Sequence, residues 1–397
     1  MNLFRGIEKS AIPYFSLYVF LFIALAFLLT FLNIYFQELG FSLGTIGLFS
    51  ALGPMISVLS QPVWGIIGDR TNKRFVLIIL LVGAIVMSLV IPLNPTFVFI
   101  VVSLLVYQVF ATSQLPIVDA MTLQYLDSKQ LKYSAIRIIA SISFGLAAAA
   151  AGPLIAGNVA RIFYFNAFFM LITLLFAFFM KPIQKTTQKI ENGSGSDERS
   201  GLKAIVKLLE NKVVLCVYLS SFVFGLAMSF THGFTGLRMI ELGATQAQVG
   251  IALAIAAFAE IPLFLFIDRV MGKRKPEYIL MISGFFMALR MLLMALAGTI
   301  FVIYVAQFMH GYGFIMHLYF SILLLHKHSP PHMKATVQTV NSMIRTGLSA
   351  LVGSLGGGFL AQHLSLQYVF MLLFIFVFSS CVVFPGIMIL LSKKRQR

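Results

Sequence analysis

Five ionisable side chains stand well inside apolar runs of this 397-residue chain: Asp119, Arg137, Glu260, Arg290 and Arg345. A carboxylate or guanidinium at the centre of a hydrocarbon layer costs at least ~2.5 kcal/mol, so such groups are kept where they pair, hold a ligand or carry a proton. Thr112, Pro116, Asp119 and Thr122 step by three or four residues onto one helix face. Ser134, Arg137, Ser141 and Phe144 do the same on the next run, which makes Arg137 the expected partner of Asp119. Glu260, within AIAAFAEIPLF, is an acid suited to exchanging a proton in an apolar setting. Arg290 precedes His310 by 20 residues, and Gln307, His310, His317 and Ser321 lie near one face. Gln338, Asn341, Ser342, Arg345 and Ser349 follow the i, i+3, i+4, i+7, i+11 pattern of a polar helical stripe. Three cations against two anions leave one positive charge in excess, which an anionic ligand would offset. The chemistry implied is solute binding and proton movement.

The elements that must position these groups are membrane-spanning helices. The chain is 59% hydrophobic and 11% charged, against a charged fraction of about 25% in soluble domains. Spanning ~30 Å of hydrocarbon takes ~20 helical residues. The polar breaks leave twelve spans of that size, near 11–36, 45–67, 75–93, 97–124, 133–157, 161–181, 212–236, 246–267, 277–297, 300–325, 335–361 and 366–391. The first is too long for a signal-peptide core and no A-x-A cleavage pattern comes after it. Of the 29 Lys and Arg residues, 24 fall on the side of the termini, Arg161 and Arg238 on the other and three within spans. By the positive-inside rule both termini and the central loop are expected in the cytoplasm, with the chain in the plasma (inner) membrane. The formal charge of +16 thus marks topology, and no nucleic-acid partner is expected.

The run GIIGDRTNKR, with Gly65, Asp69, Arg70 and Arg74, reads as a tight charged loop at a membrane face. Asp268, Arg269, Lys273 and Arg274 repeat it in FIDRVMGKR. Glu38-Leu39-Gly40 likewise returns as Glu241-Leu242-Gly243, so the chain is an internal duplication. The domains expected are residues 1–181, a cytoplasmic linker 182–211 and residues 212–397, each half a six-helix bundle. The linker stretch KPIQKTTQKIENGSGSDERSG is polar and Gly/Ser-rich.

The Gly65 to Arg74 run resembles the signature loop of the major facilitator superfamily, with Asn72 in place of the usual glycine. The resemblance implies the major facilitator fold, all-α with two pseudo-symmetric bundles of six helices. It also implies a gating role for Gly65, Asp69, Arg70 and Arg74 and, in the second copy, Asp268 and Arg269. The spacing LPIVDA…SAIRIIAS further resembles the lactose permease branch and the neighbouring 3-phenylpropionic acid transporters. That resemblance places Asp119 and Arg137 at the substrate, and Glu260, Arg290 and His310 in proton coupling. Two departures stand out: the sugar-stacking tryptophan of that branch is Phe144 here, and its proton-carrying carboxylate is Gly313. Phe144 shifts the expected substrate from sugar or nucleoside toward an aromatic or other monocarboxylate, bound by Asp119, Arg137, Phe144, Asn341 and Arg345.

The function expected is proton-coupled symport of a small organic solute by a monomer in the lipid bilayer, with no cofactor and no metal. Gly152-Pro153-x-x-Ala156-Gly157 partly resembles a motif of drug and proton antiporters, so efflux is the alternative. An enzyme is not expected, since neither H-E-x-x-H nor G-x-x-x-x-G-K-[ST] occurs. The match of Gly40 to Gly44 to G-x-S-x-G lacks the strand that motif requires. The histidines at 326, 328 and 332 sit beside Lys327 and two prolines, as in a plain turn. Cys216 and Cys381 fall in apolar spans, so a disulfide scaffold is not indicated.

Overall fold

The computed structural model describes residues 11–129, 133–180, 210–271, 274–330 and 333–394. Among the described residues, twelve helices are long and apolar enough to cross a membrane. They are α1 Ile12–Glu38, α2 Leu43–Arg70, α3 Lys73–Leu93, α4 Phe97–Leu126, α5 Ile136–Ile155 and α6 Arg161–Phe179 in the first half. In the second they are α7 Lys212–Glu241, α8 Gln246–Ile267, α9 Pro276–Leu296, α10 Ile300–His328, α11 Thr336–Leu364 and α12 Leu366–Leu391. No strand occurs among the described residues. Helices satisfy every backbone group within the segment, which is the requirement hydrocarbon imposes. The outward surface is correspondingly apolar, with Phe179, Phe301 and Leu390 among the most exposed side chains.

Three local features correct the sequence expectation. The Gly65 to Arg74 run is almost entirely helical: α2 continues through Arg70, α3 begins at Lys73, and only Thr71 and Asn72 lie between. Asn72 accounts for the missing glycine, because its side chain accepts the Arg74 backbone N–H and so caps α3. Second, α4 is broken at Thr112-Ser113. Pro116 has no N–H and its ring clashes with the carbonyl four residues back. That carbonyl is Thr112 O, and the Gln61 amide takes it at 3.0 Å. Third, α11 is interrupted by a π-helical stretch, Met343–Leu348. Ser349 donates to Ile344 O at 2.5 Å, and Gly225 of α7 packs against the Arg345 carbonyl.

The two sets of helices meet at one end, the end carrying Glu38, Ile155, Glu241 and Leu364. There α2 lies on α11 with glycine facing glycine. A Cβ on Gly47 would stand 2.5 Å from Ser354 O and 2.9 Å from Gly358 Cα. Gln362 adds polar contacts, accepting from Gly44 N and Ser42 Oγ at 3.2 Å each. On the other flank Gly152 and Gly250 let α5 and α8 touch backbone to backbone. Small residues are what permit helices to approach this closely. Nearer the middle, Asn33 of α1 donates to Gly233 O of α7 at 2.8 Å. At the opposite end α2 and α11 part around a chamber of about 540 Å³ with Ser57, Gln61, Thr112, Thr339, Ser342 and Thr346 on its walls.

Candidate substrate cavity

A cavity of about 620 Å³ lies at mid-depth between the halves, within the usual range for small-molecule sites. Gly53, Pro54 and Thr346 are shared with the 540 Å³ chamber, so the two spaces adjoin. The first half contributes Phe22, Asn33, Ser50, Gln108, Arg137, Ser141 and Phe144. The second contributes Phe224, His232, Glu260, Arg290, His310, Phe314 and Arg345. Six predicted site residues therefore converge: Arg137, Phe144, Glu260, Arg290, His310 and Arg345.

Glu260 is the hub. Its Oε2 accepts from Ser141 Oγ across the interface between the halves at 3.2 Å, and its Oε1 lies 3.2 Å from His310 Nε2. The other ring nitrogen of His310, Nδ1, is 2.9 Å from Arg290 Nη1, while Arg290 Nη2 reaches Gln307 Oε1 at 2.6 Å. This order assigns the histidine tautomer. A guanidinium only donates, so Nδ1 must be the acceptor, leaving Nε2 to carry the hydrogen and donate to Glu260. His310 is thus neutral and already fully engaged, whereas the Glu260 carboxylate keeps oxygen lone pairs open to the cavity. Phe314 stacks on the His310 ring at 5.5 Å, which holds the imidazole plane.

The two remaining guanidinium groups are placed differently. Arg137 lies over the Phe22 ring, 5.9 Å from its centroid. Arg345 points into the cavity from the π-helical stretch, with its Nε buried and without a hydrogen-bond partner. Neither is paired with a carboxylate among the described residues.

Two predicted residues lie elsewhere. Asp119 is not on the cavity wall; it accepts a hydrogen bond from Tyr18 Oη of α1. The break that Pro116 imposes on α4 separates the face carrying Asp119 from the helix above it, so Tyr18 takes the place expected for Arg137. Asn341 is 2% exposed and also off the wall, because the π-helical stretch changes the register between it and Arg345. Gly313, which stands where the resembling permeases carry a carboxylate, packs with its Cα against α9, and a Cβ there would meet Met287 N at 3.4 Å. Conversely, Ser50 and Gln108 line the cavity without belonging to any polar stripe in the sequence, although an amide inside YQVF is a visible signal. Asn33 is both a cavity residue and a bond between the halves.

The residues expected to act in gating sit at the far end. Asp69 pairs with Lys73 at 3.3 Å and is largely exposed, and Arg74 donates to Phe178 O, capping α6. The side chains of Asp268 and Arg269 fall outside the described residues, as do residues 182–209 of the linker.

Tyr18→Phe removes one hydrogen-bond donor to Asp119 and is expected to lower stability by about 0.5–1.5 kcal/mol. Thermal unfolding in detergent checks this, with transport in the surviving protein reduced far less than by any change to Glu260.

A helical transporter architecture with a closed seam at one end and a polar cavity at mid-depth now meets a match over residues 12–372 to the MFS_1 like family. The chain belongs to that family. It is a multi-pass membrane transporter, not an enzyme. The chain is 24% identical over 359 residues to the "Uncharacterized transporter YwbF" of Bacillus subtilis (strain 168), covering 89% of this chain and 88% of that protein. It is 24% identical over 392 residues to the maltose permease of Geobacillus stearothermophilus, covering 98% and 96%. Among solved structures, the nucleoside transporter NupG superposes with a TM-score of 0.83 at 18% identity, over 96% of this chain and 99% of that one. A bacterial homologue of the lysosomal transporter Spinster, solved inward-facing and unoccupied, superposes at 0.70 with 12% identity, over 96% and 97%. These likenesses confirm the major facilitator fold for this family member.

Proposed function

We propose that this protein is a proton-coupled symporter that imports a small organic acid by alternating access, with its termini in the cytoplasm and the chain acting as a monomer. The observation that carries the reading is Glu260. It is a membrane-embedded acid on the cavity wall, bonded to Ser141 in one half and His310 in the other, so its proton and the fit of the halves are linked. Residues 1–181 and 212–397 act as the two rocking bodies. The closed Gly47/Gly358 seam is then the external gate and the chamber beside Gln61 and Thr346 the release path, an inward-facing state. Asp69, Arg70, Asp268 and Arg269 bias the two states from the cytoplasmic side. The unpaired Arg137 and Arg345 guanidinium groups favour an acid over the neutral solutes named for the maltose and nucleoside relatives, and the Phe144 wall suits an apolar or aromatic body.

Efflux requires no separate machinery. Gly152 serves the α5–α8 contact and Gly157 a left-handed turn at φ 80°, which is all the antiporter-like motif needs to do here. The assay that decides direction is internal pH in proteoliposomes of the purified protein. Solute added outside at neutral gradient should acidify the lumen; alkalinisation would make the protein an antiporter, and no change would remove proton coupling.

Asn33→Ala is expected to weaken the inward-facing state selectively by deleting the bond to Gly233. Labelling of a cavity cysteine from the external side should rise about two- to five-fold, as expected when about 0.5–1 kcal/mol of a hydrogen bond is lost.

A further inference from the structure

We propose that the transported solute is an organic dianion, with one acidic group held by Arg137 and the other by Arg345. This rests on the transport reading above and narrows its substrate. From sequence, Asp119 enters the charge count and leaves one positive charge in excess. In the structure Asp119 accepts from Tyr18 and is absent from the cavity wall. Among the described residues the wall therefore carries Arg137, Arg290 and Arg345 against Glu260, an excess of two.

The three cations are not equivalent. Arg290 is 2% exposed and committed to His310 and Gln307, so it belongs to the protein's own network. Arg137 and Arg345 have no such acceptor among the described residues: one rests on an aromatic face and the other keeps an unsatisfied buried Nε. An uncompensated guanidinium in a cavity walled by Phe22, Phe144, Phe224 and Phe314 is costly to maintain, and a bidentate carboxylate relieves that cost. A monoanion would relieve one; a neutral sugar or nucleoside would relieve neither. The placement matters as much as the number. Arg137 comes from α5 in the first half and Arg345 from α11 in the second, so a ligand with an acidic group at each end ties the halves together. Protonation of Glu260 raises the excess to three, so proton and dianion each strengthen the binding of the other, and the reinforcement is reciprocal.

The test uses the purified full chain. Melting temperature and solute-driven proton movement are measured with a homologous series of α,ω-dicarboxylates, benzene-1,4-dicarboxylate, benzoate, phenyl phosphate, a disaccharide and a nucleoside. At least one dicarboxylate should stabilise the protein, more strongly at lower pH. Arg137→Gln and Arg345→Gln should each weaken its binding more than about ten-fold, and Lys at either site should restore it in part. Each Gln variant should also raise the ligand-free melting temperature, since a lone cation is removed; a residue that served only packing would lower it. A response confined to benzoate or to the neutral solutes, or none to any probe, overturns the dianion, and the former leaves the transport reading standing. A response confined to phenyl phosphate overturns the two-group arrangement. Dicarboxylate binding without proton movement supports the dianion and removes the proton coupling.

Discussion

Glu260→Gln should abolish proton-driven accumulation while leaving solute exchange across the membrane intact. The substitution keeps the shape of the site: a Gln carbonyl can still accept from His310 Nε2, which lies 3.2 Å from the carboxylate in the native protein. What the amide cannot do is take up and release a proton. No neighbour replaces it, since His310 Nδ1 is occupied by Arg290 at 2.9 Å and Arg290 is itself held by Gln307. Accumulation against a gradient should fall by at least ~100-fold, the equivalent of ~2.8 kcal/mol of lost coupling. Counterflow of labelled against unlabelled solute, which needs no net proton movement, should keep most of its rate. Retained accumulation would remove Glu260 as the carrier. Equal loss of both activities would show that the carboxylate is needed for binding rather than for coupling.

Gly47→Val should block the cycle by a purely steric route. At this position a Cβ would stand 2.5 Å from Ser354 O and 2.9 Å from Gly358 Cα, both backbone atoms that cannot rotate aside. A valine therefore forces α2 and α11 apart at the sealed end, where their close approach closes the cavity off. Net uptake should fall to background, a loss on the order of 100-fold when the blocked state is disfavoured by about 3 kcal/mol. The helices within each half are packed elsewhere, so the protein should still be made and purified. A cysteine at Ser229, on the cavity wall, should become reactive to an impermeant maleimide from the sealed side. Gly356→Ala on the same helix as Gly358 is the matched control. Nothing lies within 4 Å of its Cβ site, so transport should be unchanged and stability equal or higher by ~0.4–1 kcal/mol. Unaltered transport in Gly47→Val would mean that the seam opens without α2 and α11 ever closing tightly.

The residues legible in the sequence and those assembled in the structure overlap only in part. Arg137, Glu260, Arg290, His310 and Arg345 are legible because an ionised group in hydrocarbon is too costly to be incidental, and the cost is visible in composition without knowing the fold. The twelve spans are legible for the same reason, since bilayer thickness imposes a length. Their ends are less so. The expected span 45–67 runs on as Leu43–Arg70, because a charged helical turn can project into water as readily as a loop can.

Facing and partnership were decided only in three dimensions. Regular spacing puts Asp119 on one face with Thr112 and Asn341 on one stripe with Arg345, but that argument assumes an unbroken 3.6-residue period. Pro116 interrupts it in α4 and the Met343–Leu348 π-helical turn interrupts it in α11, and each break rotates the residues beyond it. Sequence by itself thus determined that this is a duplicated, twelve-span membrane protein holding ionised groups in its interior. Tertiary structure decided which of those groups share the cavity, that His310 is the neutral donor to Glu260, and that two arginines on opposite halves face the cavity without a carboxylate partner among the described residues. The physical reason is that hydrophobic cost depends on each residue alone, whereas orientation depends on every turn before it and on the helix packed alongside.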